Sequence, residues 1–292
     1  MNLGKLGVWY FFDGVPAPMA AEAAKRIESL GYGTLWIPET VGRHPLVHAS
    51  WLLANTSTLN LATGIANLYH REPGVTLAAH NSLNEQSGGR FLLGLGVSHK
   101  PLVEGVRGLD YGPPVATMKK YLEGMASAPY QGVPPAETPK TVIAALGPKM
   151  LELAREATDG AHPYFVSPDH TAMAKEIIGP DKMLCVEQKI ILEEDPAKAR
   201  ELARPVASIY LPLPNYRNNW LRMGLTEADL DNGGSDKFID ATFAWGSVDA
   251  IKARIQEHFD AGATHVCLQP VNPNGQFGDL HWEALEALAD LA

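Results

Sequence analysis

The chain has 292 residues, 46% hydrophobic and 20% charged, with 24 Lys plus Arg against 33 Asp plus Glu for a formal charge of −9. This composition supports a sizeable core and argues against both wholesale disorder and nucleic acid as the main partner. Cys185 and Cys267 are too few for a disulfide framework or a cysteine-rich metal site. No apolar run approaches the ~20 residues of a membrane helix, so a cytoplasmic protein with no membrane partner is expected.

Strand-like and helix-like segments alternate along the chain. The first strand is expected over 5–12 (KLGVWYFF), followed by a helix over 16–31 whose Ala20, Ala23, Ala24, Ile27 and Leu30 recur at helical spacing. Further strands are expected over 34–38 (TLWIP), 59–66 (LNLATGIA), 91–96 (FLLGLG), 141–146 (TVIAAL), 160–165, 184–192 and 264–269 (THVCLQ). Eight short apolar strands separated by helices predict an α/β fold, a (β/α)8 TIM barrel of one domain over 1–292, with an open doubly wound sheet as the alternative. Two stretches exceed a minimal barrel unit: 96–139, after strand 4 and rich in Pro and Gly, and 211–243. Insertions of that kind often form lids or binding loops.

In such a barrel the residues directly after each strand carry function. After the fifth strand come Gly147, Pro148 and Lys149 at a helix start. Glycine allows close backbone approach, proline at the first helical position loses no needed hydrogen bond, and the helix N-terminus suits a phosphate. After the third strand, Gly64, Ile65, Ala66 and Asn67 suggest a bulge near a ligand. Glu39 after the second strand and His99 after the fourth are candidate acid/base groups, as is His44. Lys149 and Arg43 are expected to give a locally positive mouth to an acidic protein. His44 and His48 stand four apart, but no HExxH pattern or third ligand accompanies them, so no metal is expected. No GxGxxG follows the first strand and no GxSxG elbow is present. Trp9, Tyr10 and Phe11 are read either as a pocket wall or as barrel packing.

The stretches SLGYGTLWIPE, LATGIAN, LNEQSGGRFLLGLGVS, ALGPKMLELAREATDGAHPYFVSP and WGSVDAIKARIQEHFDAGATHVCLQPV, in this order, resemble the luciferase-like monooxygenase superfamily. They look closest to its branch that uses the deazaflavin coenzyme F420. The resemblance implies a flavin-type ring at the carboxyl-end mouth of a TIM barrel and a small-molecule substrate. It also implies a non-proline cis peptide at Gly64–Ile65 beneath the ring, with Ala66 and Asn67 beside it. Glu39 matches an acid near the ring, and Gly147, Pro148, Gly160 and Ala161 match the region that binds the cofactor phosphate. A homodimer through the helices beside strands 2 to 4 is implied as well. The sequence departs from the branch's dehydrogenases at Thr40, where a histidine is usual, and at Val97, where a glutamate is usual. Two alternatives therefore stand beside an F420-dependent oxidoreductase: an FMN-dependent monooxygenase using reduced flavin, and a catalytically inactive cofactor-binding barrel.

Overall fold

A computed structural model describes residues 1–274 and 279–292. The chain runs β1 (Leu6–Trp9), α1 (Ala17–Ser29), β2 (Thr34–Ile37), α2 (Pro45–Ala54), β3 (Asn60–Thr63), β4 (Ala66–Asn67), α3 (Pro73–Ser87) and β5 (Phe91–Gly96). It continues through α4 (Pro114–Ser127), β6 (Thr141–Ile143), α5 (Pro148–Ala157), β7 (Gly160–Ala161), α6 (Pro168–Ile178), β8 (Met183–Leu192) and α7 (Pro196–Tyr210). Last come α8 (Pro214–Arg222), α9 (Asp236–Thr242), β9 (Phe243–Gly246), α10 (Val248–Asp260), β10 (His265–Pro270) and α11 (Trp282–Ala287).

Eight parallel strands close into a barrel in the order β1-β2-β3-β5-β6-β7-β8-β10, with β10 pairing both β8 and β1. These are the eight strands expected from the sequence. Each is short and apolar because both faces are buried. Leu35, Leu61, Leu93, Val186 and Val266 face the helices, while Trp36, Ala62, Leu92, Val142, Cys185 and Cys267 fill the interior. Both cysteines are free and buried. Helices α2 through α8 all begin with proline. That residue stops the preceding loop from forming further backbone bonds and has its φ already set for the first turn.

Two strands were not expected. β4 continues β3 after a break at Gly64–Ile65 and pairs β5, and β9 pairs the end of β8 outside the closed ring. The expected insertion over 96–139 contains a π-helical turn (Pro101–Val106) and α4, which is the barrel helix of its unit. The one over 211–243 contains α8, a short 3-10 turn and α9. Among the described residues no helix is long and apolar enough to cross a membrane.

The two glycines of the β5 sequence LGLG are explained by what lies against them. A Cβ on Gly94 would sit 1.9 Å from the Thr63 carbonyl oxygen, and one on Gly96 would sit 2.4 Å from Ile65 Cδ1. Thr63 also bonds Gly94 twice, its hydroxyl donating to the Gly94 carbonyl at 2.7 Å and accepting from the Gly94 amide at 2.9 Å. These contacts fit β5 directly against the chain break that follows β3. Gly94→Ala should therefore lower unfolding free energy by about 1–3 kcal/mol, the cost of overpacking a core. Gly105→Ala, with nothing within 4 Å of its added carbon, should be near neutral in the same urea titration.

Candidate active site at the barrel mouth

The Gly64–Ile65 peptide is cis, as the resemblance implies. Its surroundings are specific. The Gly64 amide donates to the Ile37 carbonyl at 2.9 Å, and the Glu39 amide donates to the Ile65 carbonyl at 3.2 Å. Trp9 Nε1 donates to the Gly64 carbonyl at 2.9 Å inside the barrel. The Ile65 side chain lies over Gly96, so the bulge presents a shelf at the ends of β3 and β5.

Glu39 fastens that shelf from the side. Its carboxylate, 7% exposed, accepts from the Asn67 amide at 2.7 Å, from His70 Nδ1 at 3.0 Å and from both terminal nitrogens of Arg71. Asn67 completes the network: its Nδ2 donates to His70 Nε2 at 3.1 Å and its Oδ1 accepts from the Tyr69 amide at 3.0 Å. Burial alone would raise the Glu39 pKa, but Arg71, then His70 and the Asn67 amide, outweigh it and hold the carboxyl below its ordinary value. Both side chains expected near a ligand, Glu39 and Asn67, are therefore engaged with protein partners. His70 and Arg71 were not singled out from the sequence.

The two candidate histidines lie apart. His44 caps α2, accepting from the Val47 amide at 3.4 Å, with Arg71 Nη1 3.4 Å from its other ring nitrogen; burial and that cation lower its pKa. His48 is buried within α2, and among the described residues no three His, Cys, Asp or Glu side chains group as metal ligands. His99 follows β5, 5.6 Å from the Tyr216 ring; burial lowers its pKa, opposed by a side-chain hydrogen bond to Asn215 that raises it. Both residues belong to α8, in the inserted segment. That segment caps the mouth: Trp220 Nε1 donates to the Phe165 carbonyl at 3.1 Å, and the Phe165 amide donates to buried Glu187 at 2.9 Å. Phe165 is held at φ 61 between them, a conformation that a bulky residue rarely adopts.

At the start of α5, Gly147 has no side chain to cap the helix, Pro148 has no N–H and the Met150 amide donates to the Gly147 carbonyl at 3.1 Å, which leaves the Lys149 amide as the first unpaired donor of the helix among the described residues. Arg222 of α8 approaches within 3.7 Å of where a Gly147 Cβ would lie. Asn219 accepts from Arg222 at 3.1 Å, and its buried Nδ2 has no partner among the described residues. The same is true of Nδ1 of His170, whose Nε2 lies 2.8 Å from the Leu146 carbonyl. A helix N-terminus, a guanidinium and unpaired polar groups together fit a phosphate. Pro148 opens the helix as expected, and Lys149 is exposed beside it. Arg43, expected to add positive charge, instead donates to the carbonyls of Phe12 and Val15. Gly160 and Ala161 lie buried in the barrel wall, where a Cβ on Gly160 would meet the Met183 carbonyl at 2.0 Å.

Three further interior residues were missed. His162 Nδ1 donates to the Cys185 carbonyl at 2.8 Å and its ring stacks on Trp36 at 4.3 Å. Its buried Nε2 has no partner among the described residues, and burial pulls its pKa down to about 4, so this nitrogen is a neutral acceptor next to Gly64. Glu187 and Lys189 pair at 3.0 Å with both side chains fully buried. Their spacing of two in the apolar strand CVEQKIIL places both on one face, a signal present in the sequence.

Glu39→Gln leaves Arg71 without its counter-charge and should cost roughly 3–5 kcal/mol at pH 7 in urea denaturation. Because the folded pKa lies below 4.5, this stabilisation is complete above that value and disappears as pH falls through the folded pKa. Wild type and variant should therefore converge in stability on acidification; a gap that persists at pH 2 would refute the charge-based account.

Known proteins resemble this chain over nearly its whole length. The chain is 28% identical over 313 aligned residues to the 5,10-methylenetetrahydromethanopterin reductase of Methanolobus tindarius, covering 90% of this chain and 94% of that one. It superposes on an F420-dependent secondary alcohol dehydrogenase in complex with an F420-acetone adduct with a TM-score of 0.78 at 15% identity, covering 100% and 98% of the two chains. It also superposes on the coenzyme F420 dependent tetrahydromethanopterin reductase of Methanopyrus kandleri with a TM-score of 0.74 at 19% identity, covering 99% and 98%. Residues 13–265 match the family model for luciferase-like monooxygenases, and the chain belongs to that family.

Proposed function

We infer that the protein is an F420-dependent oxidoreductase that moves a hydride between a deazaflavin and a small organic substrate. One observation carries the reading. The backbone shelf at Gly64–Ile65 and the anion cradle at Gly147 stand on one sector of the mouth, formed by β3, β5 and β6, as a flat ring with a phosphorylated tail requires. F420 is favoured over FMN because the similar dehydrogenase and the Methanopyrus reductase are both described as F420-dependent.

When bound, such a cofactor supplies a carbon that gives or takes hydride. The chain's own residues do the rest. The Lys149 amide at the start of α5 and Arg222 would hold the phosphate, with the Lys149 side chain adding charge from the surface. Ile65 would support the ring from below, and the Glu39–Arg71 pair would keep that support rigid. Proton exchange falls to His99, since Glu39 is fully engaged and His44 caps α2. A homodimer is the proposed assembly: Met19, Val41, Val47, Trp51 and Val75, exposed by 44–69%, all lie on or beside α1, α2 and α3. The free buried thiols fit a reducing, cytoplasmic setting.

Fluorescence titration should give saturable F420 binding at micromolar concentration and weaker FMN binding; tighter FMN binding, with oxygen uptake on adding reduced FMN, would favour a monooxygenase. Arg222→Ala should weaken F420 binding about 10- to 100-fold, the worth of a hydrogen bond to a charged group, and Lys149→Ala much less. His99→Gln should lower turnover while leaving cofactor affinity unchanged. In light scattering the chain should have twice its sequence mass, and the double substitution Val47→Glu with Trp51→Glu should return it to a monomer.

A further inference from the structure

Across the mouth from the shelf lies a cavity of about 810 Å³, bounded by the ends of β1, β8 and β10 and by α7. In ring order β10 stands four strands from β5, so the cavity faces the shelf from the opposite wall. Trp9 connects the two sides: its indole N–H holds the Gly64 carbonyl, and its ring meets the cavity-lining Phe11 with centroids 4.9 Å apart.

The cavity walls are largely apolar, with Phe11, Leu202, Val206, Ile209 and Val271. Its charged lining is acidic, with Glu193, Glu201 and Asp279 against Lys198. Two lining polar side chains, Gln269 and Tyr210, join a network that continues into the barrel. The Tyr164 hydroxyl donates to Gln269 Oε1 at 2.7 Å and shares a 2.7 Å hydrogen bond with the Tyr210 hydroxyl. Since Gln269 uses its oxygen here, its amide NH2 is left to donate toward the cavity. Beneath these rings lies Lys189, with Nζ 3.8 Å from the Tyr164 centroid, 3.9 Å from Phe165 and 5.3 Å from Tyr210. A cation against aromatic faces is attracted to them and holds the rings in place.

We propose that this cavity is the substrate site and takes a neutral, mainly apolar molecule bearing one carbonyl-type oxygen, which accepts from the Gln269 amide NH2 while the Tyr164–Tyr210 pair holds that amide in place and the rim acids reject anions. Its identity as the substrate site rests on the oxidoreductase reading; the binding preference does not. Lys189 is a positioning residue in this arrangement, acting through the rings above it.

Calorimetric titration of the full chain without cofactor tests the preference, using 2-acetylnaphthalene, 2-ethylnaphthalene and 2-naphthoate as probes. The ketone should bind more tightly than the hydrocarbon, and about tenfold or more tightly than the carboxylate, which meets like charge at the rim. Gln269→Leu should bring the ketone down to the hydrocarbon's affinity and leave the hydrocarbon unchanged. Glu201→Gln should narrow the gap to naphthoate. Val206→Trp, on a half-buried helix position, should abolish binding of all three probes without lowering the melting temperature. The proposal is overturned if naphthoate binds as well as the ketone, if Gln269→Leu weakens ketone and hydrocarbon alike, or if Val206→Trp changes nothing. F420 is titrated separately: a chain that binds the ketone but not F420 would leave the pocket standing and remove the cofactor reading alone.

Discussion

The mouth of this barrel depends on one buried carboxylate. Glu39 stands at the end of β2 and reaches across to the segment that leaves β3, where its amide holds Ile65 and its side chain holds Asn67, His70 and Arg71. An ion pair this buried gives little net stability against an apolar replacement, because both charges must leave water. Its effect is positional. Removing either partner leaves an unpaired charge inside the protein, so the backbone between β3 and α3 is confined to the one path that satisfies both.

The remaining parts of the mouth follow from that path. With Ile65 fixed, β5 needs glycine at the two positions its carbonyl and side-chain neighbours cross, and Trp9 needs its indole nitrogen directed at Gly64. The β3–β6 sector carries glycine at positions 64, 94, 96 and 147, and the large aromatic residues Tyr164 and Tyr210 stand on the β7–β10 side, at the proposed substrate cavity. The inserted segment joins the two sectors. α8 brings Arg222 to Gly147 and Tyr216 to Tyr164 and Tyr210, at centroid distances of 6.1 and 5.1 Å. One short helix thus contacts both the proposed phosphate site and the proposed substrate floor.

Much of the barrel was legible because its strands are buried on both faces and punctuated by glycine and proline. FLLGLG and THVCLQ read directly as strands, and the Leu146-Gly147-Pro148 turn read directly as a helix start. The cis bond came from resemblance to a family, since nothing in the composition of LATGIAN specifies it. What was not legible depended on contacts between distant segments. Glu39 looked like a free acid because Arg71 and His70 lie in a stretch that reads as an ordinary approach to a helix. Arg43 looked like a spare cation because the Phe12 and Val15 carbonyls it binds cannot be seen from sequence. Arg222 lay in the segment with the weakest periodicity. Glu187 and Lys189 are different: two charges at a spacing of two within an apolar strand already pointed to one interior face.

The most direct measurement is a crystal structure of the chain with F420 bound. The account predicts a ring lying against the Ile65 shelf with the phosphate at the Gly147 turn beside the Arg222 guanidinium, and the Glu39–Arg71 pair intact. A cofactor whose phosphate lies elsewhere, or a ring that displaces Ile65 and breaks that pair, would contradict it.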